Sequence, residues 1–122
     1  MNTHLDVKST RDNAMKLIAE RIEMYNPDDL PVYLAGDFNA DSSDKIFNNI
    51  GNLKNTRLYA PAERSDHGPT ANSWTGESKS VIDHVYCSKH LTVYEYRTIR
   101  DPYSGVTYLS DHYPIYAIVS LR

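Results

Sequence analysis

Apolar residues recur along this chain in two rhythms, one helical and one strand-like. Met15, Ile18 and Ile22 stand at helical spacing, with Ala14, Leu17 and Ala19 widening the stripe. This predicts a helix from about Thr10 to Met24, with Ser9 as N-cap, Asp12 three residues on, and an end before Asn26-Pro27. Asn2 to Leu5 and the compact run Pro31 to Ala35 predict strands. Lys45 to Ile50 predicts a shorter helix, capped by Ser42 or Ser43 and closed by Gly51. Leu53 to Tyr59, Ser80 to Cys87, Leu91 to Ile99 and Ile115 to Leu121 complete the strands.

In the Leu91 to Ile99 run, Val93, Glu95 and Arg97 alternate against Thr92, Tyr94 and Tyr96, which suits a sheet with one wetter face. The last strand is nearly all apolar and is expected to be central. Thr70, Asn72 and Trp74 alternate in a possible short strand after the turn-rich loop Pro61 to Pro69. The element order predicts an α/β (α+β) fold: a mixed, mostly antiparallel sheet with helices on one face, in a single domain over residues 1–122.

Composition changes this picture little. A chain of 122 residues forms one domain, able to bury roughly two-thirds of its unfolded surface. A formal net charge of −3 argues against holding nucleic acid by bulk charge, yet allows a phosphate-ester substrate if a bound cation reverses the local sign. No run approaches the roughly 20 apolar residues of a membrane span. The N-terminus has no basic flank leading into an apolar stretch, so no signal peptide is read and the compartment stays open. The single Cys87 is expected to be a small buried side chain.

Chemistry concentrates at the ends of the apolar runs. Asp37 and Asn39 in Gly36-Asp37-Phe38-Asn39 share a side if the backbone is extended, while Phe38 turns into the core. Asp37 can then accept a proton from water, and Asn39 can donate to a phosphate oxygen or hold that water. The alternative is an Asx-rich turn after the strand. Asp83, between Ile82 and Val85, needs a partner, and the candidates are the ring of His112 or an Arg or Lys at the sheet end. Asp111 and His112 can reach one site only from a turn, which Pro114 favours; there Asp111 can bind a hard cation and His112 can contact phosphate. His4, between Asn2 and Asp6, is either a second phosphate donor or structural. His67, His84 and His90 are assigned no chemistry.

In order, Asn2-Thr3-His4-Leu5-Asp6, Gly36-Asp37-Phe38-Asn39, Ile82-Asp83-His84 and Ser110-Asp111-His112-Tyr113-Pro114 resemble the later motifs of the endonuclease/exonuclease/phosphatase (deoxyribonuclease-I-like) superfamily. The resemblance implies a divalent-metal-dependent phosphoesterase. His4 and His112 would contact phosphate, Asp83 would orient His112, Asp37 and Asn39 would position water, and Asp111 would bind Mg²⁺ or Mn²⁺. Asn72 and Trp74 would line the substrate cleft. Substrates of such proteins include nucleic acid, a phospholipid head group and a nucleotide.

The resemblance also implies half of a four-layer α/β/β/α sandwich. The expected remainder is an N-terminal half that carries an early Asn and a metal-binding Glu and packs its own sheet on this one. A chain without that half would expose an apolar sheet face and have weak activity, or none. It would then meet the missing half or a homodimer partner, or serve as a non-catalytic partner-binding domain.

Overall fold

A computed structural model describes residues 1–6 and 8–122. The elements are β1 (Asn2–His4), α1 (Arg11–Tyr25), β2 (Tyr33–Asp37), β3 (Lys54–Asn55), the one-turn α2 (Thr56–Tyr59), β4 (Asp83–Cys87), β5 (Leu91–Thr98) and β6 (Ile115–Leu121). Short 3₁₀ segments span Lys45–Ile50 and Ala62–Arg64. One sheet has the order β1-β2-β4-β3, and β5 and β6 form a separate two-stranded ribbon. β1 runs parallel to β2, and the other strand pairs are antiparallel. The mixed, mostly antiparallel α/β class expected from the element order is the one observed. The strands divide into two sheets, however, where a single main sheet was expected.

Alternation on β2 explains how the main sheet is held. Leu34 and, just past the strand, Phe38 are fully buried. They join Met15 of α1, Ile46 and Ile50 of the 3₁₀ segment and Tyr86 of β4 in one apolar cluster. Each such side chain contributes about 1.5–3 kcal/mol by burial. The intervening residues Tyr33, Ala35 and Asp37 therefore point to the opposite face. A second cluster, around Cys87, Leu91, Val93 and Tyr96, joins the ribbon to β4. Among the described residues no helix is long and apolar enough to cross a membrane.

Several local expectations change. α1 starts at Arg11 with Thr10 as N-cap and no side-chain cap bond, and Asp12 pairs with Lys16 at 2.6 Å instead of closing a capping box. The cap of the 3₁₀ segment is Asp44, not Ser42 or Ser43, because its carboxylate accepts the Ile46 N–H at 3.1 Å. Only Lys54–Asn55 of the run Leu53 to Tyr59 is strand. The Asn55 side chain accepts the Arg57 N–H at 3.0 Å and turns the chain into α2.

β5 carries a bulge between Val93 and Glu95, which leaves Tyr94 exposed and reverses the face. Leu91 and Val93 are buried before it, Tyr96 and Thr98 after it, so the simple alternation fails. β6 pairs with β5 alone among the named strands, and Ile118 and Leu121 are 49% and 68% exposed. Its apolar sequence does not make it central within this chain.

Candidate active site

Register alone aligns three of the expected residues. His4 on β1 is the cross-strand partner of Asp37 on β2, and Asp37 is the partner of Asp83 on β4. Directly opposed residues project to the same face, so the three lie in a row across the sheet end. His4 Nε2 lies 3.4 Å from Asp37 Oδ2. The parallel approach of β1 depends on Gly36, whose φ is +150°; a Cβ there would lie 1.8 Å from the Thr3 carbonyl oxygen.

His112 arrives from elsewhere in the chain. Residues 70–73 pair with the loop before β6: Asn72 N–H donates to the Asp111 carbonyl at 2.7 Å and Tyr113 N–H to the Thr70 carbonyl at 2.7 Å. Thr70 also clamps the start of β4, its hydroxyl oxygen accepting the N–H groups of Ile82 and Asp83 at 3.0 and 3.1 Å. This splice brings the His112 ring over the strand ends. His112 Nδ1 meets Asp83 Oδ2 at 2.8 Å, and Nε2 lies 3.9 Å from Asp37 Oδ2. Burial pushes the Asp83 carboxyl above its ordinary range, while hydrogen bonds from Thr70 and His112 act against that rise. Of the two partners open to Asp83 in the sequence, it takes the histidine. Nδ1 is thus the ring nitrogen held by Asp83, and Nε2 is the one left on the Asp37 side.

Asn39 reaches the site by a different route from the one expected. The strand ends at Asp37, and Asn39 adopts a left-handed φ of +47° while Asp37 Oδ1 accepts its backbone N–H at 2.8 Å. This is the Asx-turn alternative, so strand alternation does not set its direction. The Asn39 amide donates one N–H to the Leu5 carbonyl at 2.6 Å, and a carboxamide has a second N–H to offer. The buried Arg11 guanidinium donates to the Asn39 carbonyl and pairs with Asp44 at 3.5 Å, holding the turn from behind.

Other expected residues are placed less centrally. Asp111 is exposed and lies outside the compact group of Asp37, Asp83 and His112; its carboxylate takes a 3.3 Å bond from Ser110 Oγ. Asn72 is buried, and both ends of its carboxamide bind backbone, at the Ser110 carbonyl (2.9 Å) and the Trp74 N–H (2.8 Å). Trp74 is 60% exposed on a turn with φ +63°, so residues 70–74 are not the short strand suggested by alternation. His84 is buried and neutral in role. Asn55 donates to its Nδ1 at 3.3 Å, its Nε2–H donates to the Ala40 carbonyl at 2.9 Å, and burial lowers its pKa. Thr70 and Arg11 were missed, since a Thr in a short alternating run and an Arg opening a helix carry no signal of these contacts.

The residues fit a hard divalent cation. Asp37, Asp83 and His112 each offer a ligand atom, all within 4.8 Å of one another. The two carboxylates repel each other, part of the rise at Asp83, and a cation would relieve that charge. Carboxylate oxygens suit Mg²⁺ and Mn²⁺.

A family model described as "Endonuclease/Exonuclease/phosphatase family" matches residues 2–112. No curated protein sequence matches the chain significantly. Among solved structures, a mannosyl-6-phosphatase from Bacteroides thetaiotaomicron superposes with a TM-score of 0.83 at 24% identity, covering 98% of this chain and 50% of that one. The human Nocturnin catalytic domain with bound sulfate gives 0.70 at 20% identity, covering 99% and 46%. D. rerio TDP2 complexed with a single-strand DNA product gives 0.70 at 19% identity, covering 98% and 55%. At these identities the likeness is one of fold. The chain spans about half the length of these structures.

Proposed function

We propose, from the premise that this chain belongs to the endonuclease/exonuclease/phosphatase family, that it supplies one half of a metal-dependent phosphoesterase centre. The observation that carries the reading is the bond from His112 Nδ1 to Asp83 beside the Asp37 carboxylate. In this mechanism a water oxygen bonds to phosphorus as the phosphorus–alcohol oxygen bond breaks, and the departing alcohol oxygen takes a proton from solvent water. Asp37 Oδ2 accepts the proton of the water, which the remaining Asn39 N–H helps to orient. His112 in its imidazolium form donates Nδ1–H to Asp83 and Nε2–H to a phosphate oxygen, the Asp83 carboxylate stabilising that positive ring, and His4 contacts a second phosphate oxygen.

Mg²⁺ or Mn²⁺ would be held at the Asp37–Asp83 carboxylate pair, with Asp111 adding negative charge from outside that group, and the ion would neutralise charge on the phosphate. Asn72 borders the substrate by bracing the 110–113 backbone, and Trp74 by its exposed ring. The substrate is a phosphate ester: nucleic acid, a phospholipid head group or a nucleotide. The other half of the centre comes from a further segment or a second chain.

Phosphate-ester turnover is the test, measured with Mg²⁺ and with chelator in the protein that contains this chain. Asp37→Ala and His112→Ala are each expected to lower it roughly 10²–10⁴-fold, and chelation to abolish it. Unchanged turnover in either variant would sink the reading.

A second reading, a non-catalytic partner-binding domain, draws on the exposed apolar residues of β6. It predicts a stable dimer in sedimentation with no affinity for Mg²⁺.

A further inference from the structure

The loop from 99 to 114, between β5 and β6, encloses a cavity of about 520 Å³ with His112 and Asn72 in its wall. That volume falls in the range of small-molecule sites, roughly 300–1,000 Å³. The loop is built to hold its shape. Arg100 donates twice to the Asp66 carboxylate at 2.8 Å, anchoring the near end. Tyr103 and Val106 exchange backbone bonds of 3.1 and 2.9 Å around Ser104 and Gly105, both at positive φ. The Tyr108 hydroxyl lies so near Gly76 that an added Cβ there would sit 2.3 Å from it, placing this loop close against the Trp74 turn.

The lining has an unusual balance. Tyr103 and Leu109 are 70% and 68% exposed, so large apolar groups face water beside the centre. Tyr108 and Tyr113 lie with ring centroids 6.4 Å apart, and Arg100, the cation in the wall, is already committed to Asp66. A polyhydroxylated ring needs many convergent free donors and acceptors, and here Asn72 is spent on Ser110 and Trp74, and Ser110 Oγ on Asp111 and His112. A flat aromatic ring needs faces and edges to pack on, which tyrosines and leucine supply.

We propose that this pocket receives a planar aromatic ring carried by the alcohol portion of the phosphate ester whose phosphate sits at His112. The inference rests on the phosphoesterase reading and adds the substrate class to it.

The test is equilibrium binding of AMP, adenosine and ribose 5-phosphate to the wild-type chain and to a Tyr103→Ala/Leu109→Ala double variant. Both altered side chains are exposed, and circular dichroism verifies folding. AMP is expected to bind roughly tenfold tighter than ribose 5-phosphate, a 1.4 kcal/mol gain of the size ring packing gives. The double variant should erase that gain and leave ribose 5-phosphate affinity unchanged. Equal affinities for AMP and ribose 5-phosphate in the wild type, or an unaltered gain in the variant, would overturn the ring pocket. Adenosine binding as tightly as AMP, still sensitive to the double variant, would keep the pocket and remove the phosphate site.

Discussion

Thr70 shows how much of a site can depend on a residue that does no chemistry. Its hydroxyl holds the start of β4 and opposes the effect of burial on Asp83. Thr70→Val keeps the shape and deletes the hydroxyl, so Asp83 should ionise at a still higher pH. The acidic limb of a kcat/KM profile on a phosphate ester is therefore expected to move upward in pH; an unmoved limb would deny Thr70 this role. At this scale the sequence was partly legible. A carboxylate inside an apolar run announces a need for a partner, and Asp83 finds the ring of His112. Asn39 was open between an extended strand and an Asx-turn, and it takes the turn because the Asp37 side chain bonds the backbone two residues on, which alternation does not encode. Thr70 and Arg11 were illegible because their partners are remote in sequence, at Asp83 and Asn39.

Among the elements, β1 is the most exposed to a single substitution. It is three residues long and rests on one parallel neighbour across Gly36. Gly36→Ala would drive a methyl into the Thr3 carbonyl from a backbone angle that L side chains avoid. A loss of about 3 kcal/mol is expected, read from the urea midpoint, and a loss under about 0.5 kcal/mol would mean that β1 shifts freely. Periodicity located α1 and most strands, because each buries one face on a shared core. It failed where a side chain overrules the backbone pattern, as Asn55 does at α2, and where an extra residue reverses a strand face, as at Tyr94.

For the molecule as a whole, acid should act through His84 as well as through the site. This ring is buried with Nδ1 accepting from Asn55 and Nε2 donating to Ala40, so protonation would set an N–H against the Asn55 amide. Its depressed pKa means its stabilising share is fully present above the ordinary value of 6.5 and is lost as pH falls through the folded-state value. The thermal midpoint should fall with pH below 6.5, and His84→Leu should be less stable but flatter in this range. An equally steep fall in the variant would assign the effect elsewhere. β6 could not be ranked from its composition, since an apolar strand reads the same whether its neighbour lies within the chain or beyond it.

The central claim is that separate strand ends make one pocket for a cation and a phosphate. Paramagnetic broadening of amide NMR signals by Mn²⁺, titrated into the wild-type chain, tests it most directly. Selective broadening around Asp37, Asp83, Asp111 and His112, reversed by excess Mg²⁺, is the expected result. Uniform broadening, or broadening centred on residues away from these strand ends, would contradict it.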